Sequence, residues 1–208
     1  MAKKKNKLSA GQAFAKLKSG NASFVKHQAL DYPTSQQRKK FEKDQWPYAI
    51  ILSCADSRVS PEIMFNASLN ELFVVRVAGN IADTTSLASI EYAVANLNTN
   101  LIVVLGHSGC GAVSAAISND TEAMDLGYNL NTLLGHITPA IVSVKKKRTY
   151  SRMSAGEKLK TTVIENAKLT SKELVTRSPT IAKERGVEIV PAYYDIVSGK
   201  VRFLRNLK

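Results

Sequence analysis

Short apolar runs alternate along this chain with longer segments of helical periodicity. Continuous apolar runs of about six residues are typical of strands buried on both faces, whereas apolar residues three and four positions apart indicate the buried face of a helix. We predict strands at residues 48–53, 72–77, 101–105 and 187–192, and a terminal hairpin of 194–197 with 201–204. We predict helices at residues 9–27, 35–43, 86–96, 130–146, 155–176 and 178–185, and further helices that begin near 60 and 111.

The alternation of strands with helices predicts an α/β fold. We expect a central, mostly parallel β-sheet flanked by helices, with an N-terminal helical arm and a C-terminal antiparallel hairpin. Residues 46–208 form the α/β domain in this prediction. Residues 1–45 contain a helix that begins with a capping box of Ser9 and Gln12. This helix has no evident place on its own domain, so we expect the arm to pack on a partner subunit.

The composition of the 208 residues is that of a globular protein, since 44% are hydrophobic and 22% are charged. No apolar run reaches the roughly 18 residues of a membrane-spanning helix, so we predict no membrane span. Residues 1–7 are basic but no apolar stretch follows them, which is unlike an intact secretory signal. We therefore expect a cytoplasmic protein; a periplasmic location is the alternative if a signal peptide has been removed.

The formal net charge of +12 raises the question of a nucleic-acid partner. Basic residues concentrate at 3–7 and at 145–148. A nucleic-acid interface would combine them with stacking aromatic residues or a recognition helix, whereas only 7% of the chain is aromatic. We interpret the basic residues as solvated helix ends and a loose tail, and we expect no nucleic-acid partner.

The chain has two cysteines, and both lie near the ends of predicted strands. Cys54 follows the first strand, and His107 and Cys110 follow the third. Ligands of parallel sheets bind at the carboxyl ends of the strands, so the three side chains meet at one edge if these two strands are neighbours. Two sulfurs and one imidazole form a three-ligand zinc set with an open fourth position, as in catalytic zinc sites. A disulfide between the cysteines is the alternative.

Two charged residues follow Cys54 at alternate positions. On an extended segment Cys54, Asp56 and Arg58 point the same way and face one site. Asp56 is then placed to accept a hydrogen bond from an oxygen on the metal, and Arg58 to pair with the carboxylate and keep it ionised. Without the arginine, Asp56 would be free to bind the metal itself.

Residues 54–58 (Cys-Ala-Asp-Ser-Arg) and 107–111 (His-Ser-Gly-Cys-Gly) together resemble the signature of the β-class carbonic anhydrases. The resemblance runs from about residue 45 to the C-terminus. It implies that 46–208 is a catalytic domain with one Zn²⁺ per subunit, held by Cys54, His107 and Cys110. It also implies a carbonate dehydratase, in which zinc-bound hydroxide oriented by Asp56 and Arg58 attacks carbon dioxide and yields bicarbonate and a proton.

The resemblance further implies a substrate pocket and an oligomer. Gln45 matches a glutamine that hydrogen-bonds the substrate, usually across a dimer interface, and the amide of Gly111 matches one that holds an anion oxygen. Phe73, Ala78 and Tyr92 match the apolar wall that receives carbon dioxide, although Ala78 is smaller than the valine often found there. The expected partners are carbon dioxide, bicarbonate and further copies of the chain, as a homodimer or a homotetramer.

The zinc motif leaves other functions open. One is a structural or anion-binding zinc protein in which Asp56 closes the metal site. Another is a related zinc hydrolase that acts on carbon disulfide or carbonyl sulfide. A third is a basic module that binds nucleic acid or a charged surface.

Overall fold

A five-stranded sheet lies at the centre of the computed structural model, which describes residues 8–28, 33–122, 126–205 and 207. Across the sheet the strand order is β2-β1-β3-β4-β5. The strands are β1 (Ala49–Ser53), β2 (Leu72–Arg76), β3 (Leu101–His107), β4 (Glu188–Tyr194) and β5 (Val201–Phe203). All neighbouring pairs are parallel except β4 with β5, which is antiparallel. The predicted fold class is confirmed.

Helices cover both faces of this sheet. Within the described residues they are α1 (Ala10–Val25), α2 (Ser35–Phe41), α3 (Pro61–Met64), α4 (Thr84–Leu97), α5 (Gly111–Glu122), α6 (Tyr128–Lys145), α7 (Ala155–Arg177) and α8 (Pro179–Lys183). Short 3₁₀ turns occur at Ala78–Asn80 and Tyr150–Arg152. No helix in this part of the chain combines the length and the apolar character needed to cross a membrane.

The two central strands are buried on both faces. Side chains alternate along a strand, so Ile51 and Val103 face the side covered by α1, whereas Ile50 and Val104 face α4 and α7. All four side chains are fully buried. This double burial is the reason that β1 and β3 are continuous apolar runs in the sequence.

Helix α1 packs on its own chain. Phe14 and Leu17 are buried against the sheet, and the ring of Phe14 meets that of Phe203 edge to face at a centroid distance of 4.7 Å. A Cβ atom at Gly20 would lie 1.8 Å from the carbonyl oxygen of Phe65, so the helix backbone approaches the chain too closely for any other residue. The helix therefore has a place on its own domain, which its amphipathic pattern alone does not reveal.

The role of residues 1–45 as an arm on a partner subunit stays a prediction. Helix α1 begins at the predicted capping box, in which the N–H of Ser9 donates to Oε1 of Gln12 at 2.9 Å. Residues 1–7 and 29–32 of this segment lie outside the described residues.

Two strands extend beyond their predicted ends. β3 continues through His107 because this residue pairs with Tyr194 of β4. β4 continues to Tyr194 because Tyr194 also pairs with Val201 of β5. The separate strand predicted at 194–197 is therefore wrong, since the antiparallel hairpin consists of β4 and β5 and a turn follows Tyr194.

Candidate metal centre

Three candidate ligands meet at the carboxyl edge of the sheet. Cys54 directly follows β1, His107 is the last residue of β3, and Cys110 directly precedes α5. β1 and β3 are neighbours in the sheet. The two Sγ atoms and a ring nitrogen of the histidine all lie within 4.8 Å of one another. The structure thus brings together the three residues that the sequence predicts as ligands.

The imidazole of His107 is oriented to bind through one nitrogen. Its Nδ1 lies 3.0 Å from the carbonyl oxygen of Ser108, so in the neutral ring Nδ1 carries the proton and donates it. Nε2 keeps its lone pair, is buried, and has no hydrogen-bond partner among the described residues. Buried polar atoms without a partner are rare in native proteins, and a bound cation would satisfy this one.

The loop that carries the histidine and the second cysteine is tied to the end of β4. The N–H of Ser108 donates to the carbonyl oxygen of Tyr194 at 2.9 Å. The Oγ of Ser108 accepts a hydrogen bond from the N–H of Ile196, also at 2.9 Å. These bonds fix the carbonyl group that orients the imidazole.

The two cysteines are free thiols, not a disulfide, and both are buried. A hydrogen bond from the neighbouring Cys110 holds the pKa of Cys54 well below its usual range, because it stabilises the thiolate. The backbone N–H of Gly79 also donates to Sγ of Cys54, at 3.3 Å. Thiolates and a neutral imidazole are ligands that zinc prefers, so this donor set fits Zn²⁺.

Arg58 holds the carboxylate of Asp56 through two side-chain hydrogen bonds. Nε donates to Oδ1 at 2.9 Å, and Nη2 donates to Oδ2 at 2.7 Å. These bonds lower the pKa of Asp56 far below its usual range, so the carboxylate is ionised at neutral pH. Oδ2 lies 3.9 Å from Nε2 of His107, which places the pair beside the candidate metal centre.

The sequence pattern predicts that the segment from Cys54 to Arg58 is extended throughout, but in the structure this segment contains a turn. Oδ1 of Asp56 accepts a hydrogen bond from the backbone N–H of Arg58 at 3.0 Å, and the carbonyl oxygen of Asp56 accepts one from Val59 at 3.0 Å. Aspartate commonly closes such turns with its own side chain. Asp56 and Arg58 are therefore brought together by a turn, and not by the alternation of a strand.

Arg76, the last residue of β2, supports the same segment, a role that the sequence motifs do not predict. Its Nη2 donates to the carbonyl oxygens of Ala55 at 3.2 Å and Asp56 at 2.8 Å, and its Nε donates to that of Cys54 at 3.3 Å. Three successive carbonyl groups, of Cys54 and the two residues after it, are thereby held in place. An arginine at the end of an apolar strand is a signal that could have indicated this role.

Two of the five predicted substrate residues lie next to the candidate ligands. Ala78 begins the 3₁₀ turn whose next residue, Gly79, contacts Cys54. Gly111 follows Cys110 and is the first residue of α5. A Cβ atom at Gly111 would meet no atom within 4 Å, so the space beside this residue is open.

The other three predicted substrate residues lie away from the ligands of their own chain. Gln45 is exposed and precedes β1, whose five residues span about 16 Å and separate it from Cys54. Phe73 of β2 pairs with Ile50, which lies near the start of β1. The ring of Phe73 lies 6.4 Å from that of Tyr92, which is 51% exposed. The structure thus brings Phe73 and Tyr92 together, but not to the metal centre of this copy.

Comparisons with known proteins agree with this fold. The model of the family described as carbonic anhydrase matches residues 49–201. A carbonic anhydrase of Mycolicibacterium smegmatis is 36% identical over 200 residues, which cover 94% of this chain and 93% of the relative. The solved β-carbonic anhydrase CcaA is 30% identical with a TM-score of 0.71, over 82% of this chain and 87% of that chain. A tetrameric β-carbonic anhydrase from Sordaria macrospora is 26% identical with a TM-score of 0.74, over 93% of this chain and 97% of that chain.

The fold and the centre define an α/β protein with three side chains placed to bind a metal at the carboxyl ends of its parallel strands. The family match covers most of the chain, and the relative from Mycolicibacterium smegmatis is similar along nearly all of it. The chain belongs to the β class of the carbonic anhydrase family.

Proposed function

We propose that this protein catalyses the reversible hydration of carbon dioxide to bicarbonate and a proton, with one Zn²⁺ per chain. The observation that carries the proposal is the convergence of Cys54, His107 and Cys110 around a buried imidazole nitrogen that has no partner among the described residues. When bound, Zn²⁺ acts as a Lewis acid that polarises substrate oxygens and lowers the pKa of water. The relatives matched over most of the chain are named carbonic anhydrases, which favours carbon dioxide over carbon disulfide or carbonyl sulfide as the substrate.

Asp56 and Arg58 are the catalytic pair in this proposal. Two thiolates neutralise much of the charge of a zinc ion, so the protein must favour the reactive oxygen by other means. The ionised carboxylate of Asp56 accepts a hydrogen bond from the attacking water and orients its lone pair towards carbon dioxide. Both carboxylate oxygens accept hydrogen bonds from Arg58. This arrangement supports an open fourth position, and disfavours the alternative in which Asp56 closes the site.

The substrate pocket is the second part of the proposal, and its residues come from two copies of the chain. Ala78 and Gly111 lie beside the ligands of their own copy. We assign Ala78 to apolar contact with carbon dioxide, and the backbone amide of Gly111 to the binding of an anion oxygen. Gln45, Phe73 and Tyr92 come from the second copy, because each is separated from the ligands of its own chain. β2 is an edge strand whose apolar side chains are only partly buried, which supports a second copy at this edge. We therefore propose a homodimer or a homotetramer.

Complementation between two inactive variants tests the shared site. We expect Gln45→Ala and Asp56→Asn each to be nearly inactive alone. When the two are co-expressed, a mixed dimer has one site with both changes and one site with neither, so about a quarter of all sites regain wild-type activity. Activity is measured first on the unselected mixture and then on mixed dimers isolated through two affinity tags, one on each chain, in which half of the sites should be active. Mixed dimers that stay inactive would show that Gln45 acts within its own chain, and a Gln45→Ala protein that is fully active alone would show that Gln45 has no role.

Stopped-flow carbon dioxide hydration on metal-quantified protein tests the function itself. We expect the rate to rise in proportion to zinc content until one ion is bound per chain, and to fall to background after chelation. Carbonyl sulfide, supplied to the same samples, tests the related hydrolase. Zinc-loaded protein that does not exceed the uncatalysed rate of carbon dioxide hydration would refute the proposal.

A further inference from the structure

A buried amide on helix α7 is linked to the first cysteine through a single glycine. The side chain of Asn166 is 2% exposed, and its Nδ2 donates to the carbonyl oxygen of Gly79 at 2.8 Å. The N–H of the same glycine donates to Sγ of Cys54 at 3.3 Å. Gly79 therefore receives one hydrogen bond from α7 and donates another to the sulfur.

The turn that carries this glycine has an unusual backbone and little room. Gly79 has a φ of 71° and the next residue, Asn80, has a φ of 46°, so two successive residues are in the left-handed region. A Cβ atom at Gly79 would lie 2.7 Å from Cδ1 of Ile137. Glycine and asparagine adopt this region more readily than other residues, so the local sequence permits the turn, and its surroundings fix its position. The bond from Asn166 is one of the contacts that hold it.

We propose that Asn166 is a positioning residue that keeps the Gly79 amide directed at the thiolate of Cys54. The proposal rests on the function proposed above, since it assigns Asn166 to the same metal centre. The N–H of Gly79 stabilises negative charge on the sulfur and fixes the orientation of the side chain before a metal binds. Asn166 is linked to Sγ of Cys54 through two successive hydrogen bonds.

The energetic role of this link follows from the charge of the donor set. Two thiolates donate strongly to zinc and thereby weaken its action as a Lewis acid. A hydrogen bond to one sulfur withdraws part of this charge. Loss of the bond leaves Cys54 a stronger electron donor but a less ordered ligand, so the metal is held less well although the three ligands are unchanged. Changes of this kind outside the ligand set typically cost about 10- to 100-fold in metal affinity.

The test compares Asn166→Leu with wild type as full-length protein. Leucine has nearly the same size and shape as asparagine but no group that can donate to the Gly79 carbonyl. Two readouts are used: the rate of zinc release to a chelator, and the energy of the sulfur-to-metal charge-transfer band after substitution by Co²⁺. We expect zinc release to be about 10- to 100-fold faster, and the band to move to lower energy because the sulfur becomes richer in electrons. Asn166→Ala serves as the second variant if the leucine variant does not fold.

A matched control separates this role from ordinary packing. Ser171 is buried on the same helix, and among the described residues its hydroxyl donates within that helix, to the carbonyl oxygen of Ala167. Ser171→Ala should lower thermal stability without changing zinc release or the spectrum. If the Asn166 variants lose stability but keep wild-type zinc release and spectrum, Asn166 is a structural anchor and the proposal is wrong. Neither readout needs carbon dioxide hydration, so a wild-type protein that binds zinc but is inactive refutes the proposed function alone.

Discussion

Replacing His107 with asparagine should remove stoichiometric zinc and lower the rate of carbon dioxide hydration by about 1,000-fold or more. His107 supplies the nitrogen of the ligand set through Nε2, which is buried and has no partner among the described residues. Asparagine is shorter and replaces the imidazole with a weakly ligating amide, so only the two sulfurs remain. The measurement is zinc per chain by elemental analysis, followed by stopped-flow hydration on the same sample.

The control for this variant is the same substitution at an exposed histidine. His27 is exposed and has a φ of 57°, a conformation that asparagine also tolerates. His27→Asn should therefore keep one zinc ion per chain and full activity. A His107→Asn protein with one zinc ion and wild-type rates would remove His107 from the ligand set.

Replacing Asp56 with asparagine should leave zinc bound and lower kcat by about 100- to 10,000-fold. The carboxylate is not one of the three ligands, so metal binding does not depend on it. Its proposed role is to accept a hydrogen bond from the attacking water, and an amide cannot fill that role while keeping two acceptor oxygens for Arg58. The expected result is thus a zinc-loaded protein with little activity.

Asp120→Asn is the matched control for the aspartate variant. Asp120 of α5 also pairs with a basic side chain, that of Lys145 of α6. This exposed ion pair should contribute little, so activity and zinc content should stay at wild-type values. Full activity in Asp56→Asn would rule out the proposed role of the carboxylate. Loss of zinc in that variant would instead make Asp56 a metal ligand.

The strands that carry the ligands could be predicted because their burial leaves a local pattern. Residues 49–53 and 101–107 are buried throughout, so each is a continuous apolar run that ends at a candidate ligand. The rule that ligands bind at the carboxyl ends of parallel strands then places Cys54, His107 and Cys110 at one edge. The structure confirms that edge, since β1 and β3 are neighbours.

Other features have no local pattern and could not be predicted in this way. The amphipathic pattern of α1 shows that one face is buried, but not that Phe14 meets Phe203 nearly 190 residues later. The contacts of Arg76 with the segment after β1 and of Asn166 with Gly79 are side-chain hydrogen bonds between distant parts of the chain. A spacing of two residues predicts an extended segment at Asp56, whereas the side chain of that aspartate closes a turn. Long-range packing and side-chain turns therefore had to be seen in the structure.

The most direct test of the central claim is a crystal structure of the purified protein with anomalous data collected on both sides of the zinc absorption edge. We predict one anomalous peak per chain, about 2.3 Å from the Sγ atoms of Cys54 and Cys110 and about 2.0 Å from Nε2 of His107. The fourth position should hold a water molecule, with Asp56 still paired to Arg58. A peak at another place, or a disulfide between the two cysteines, would contradict the account.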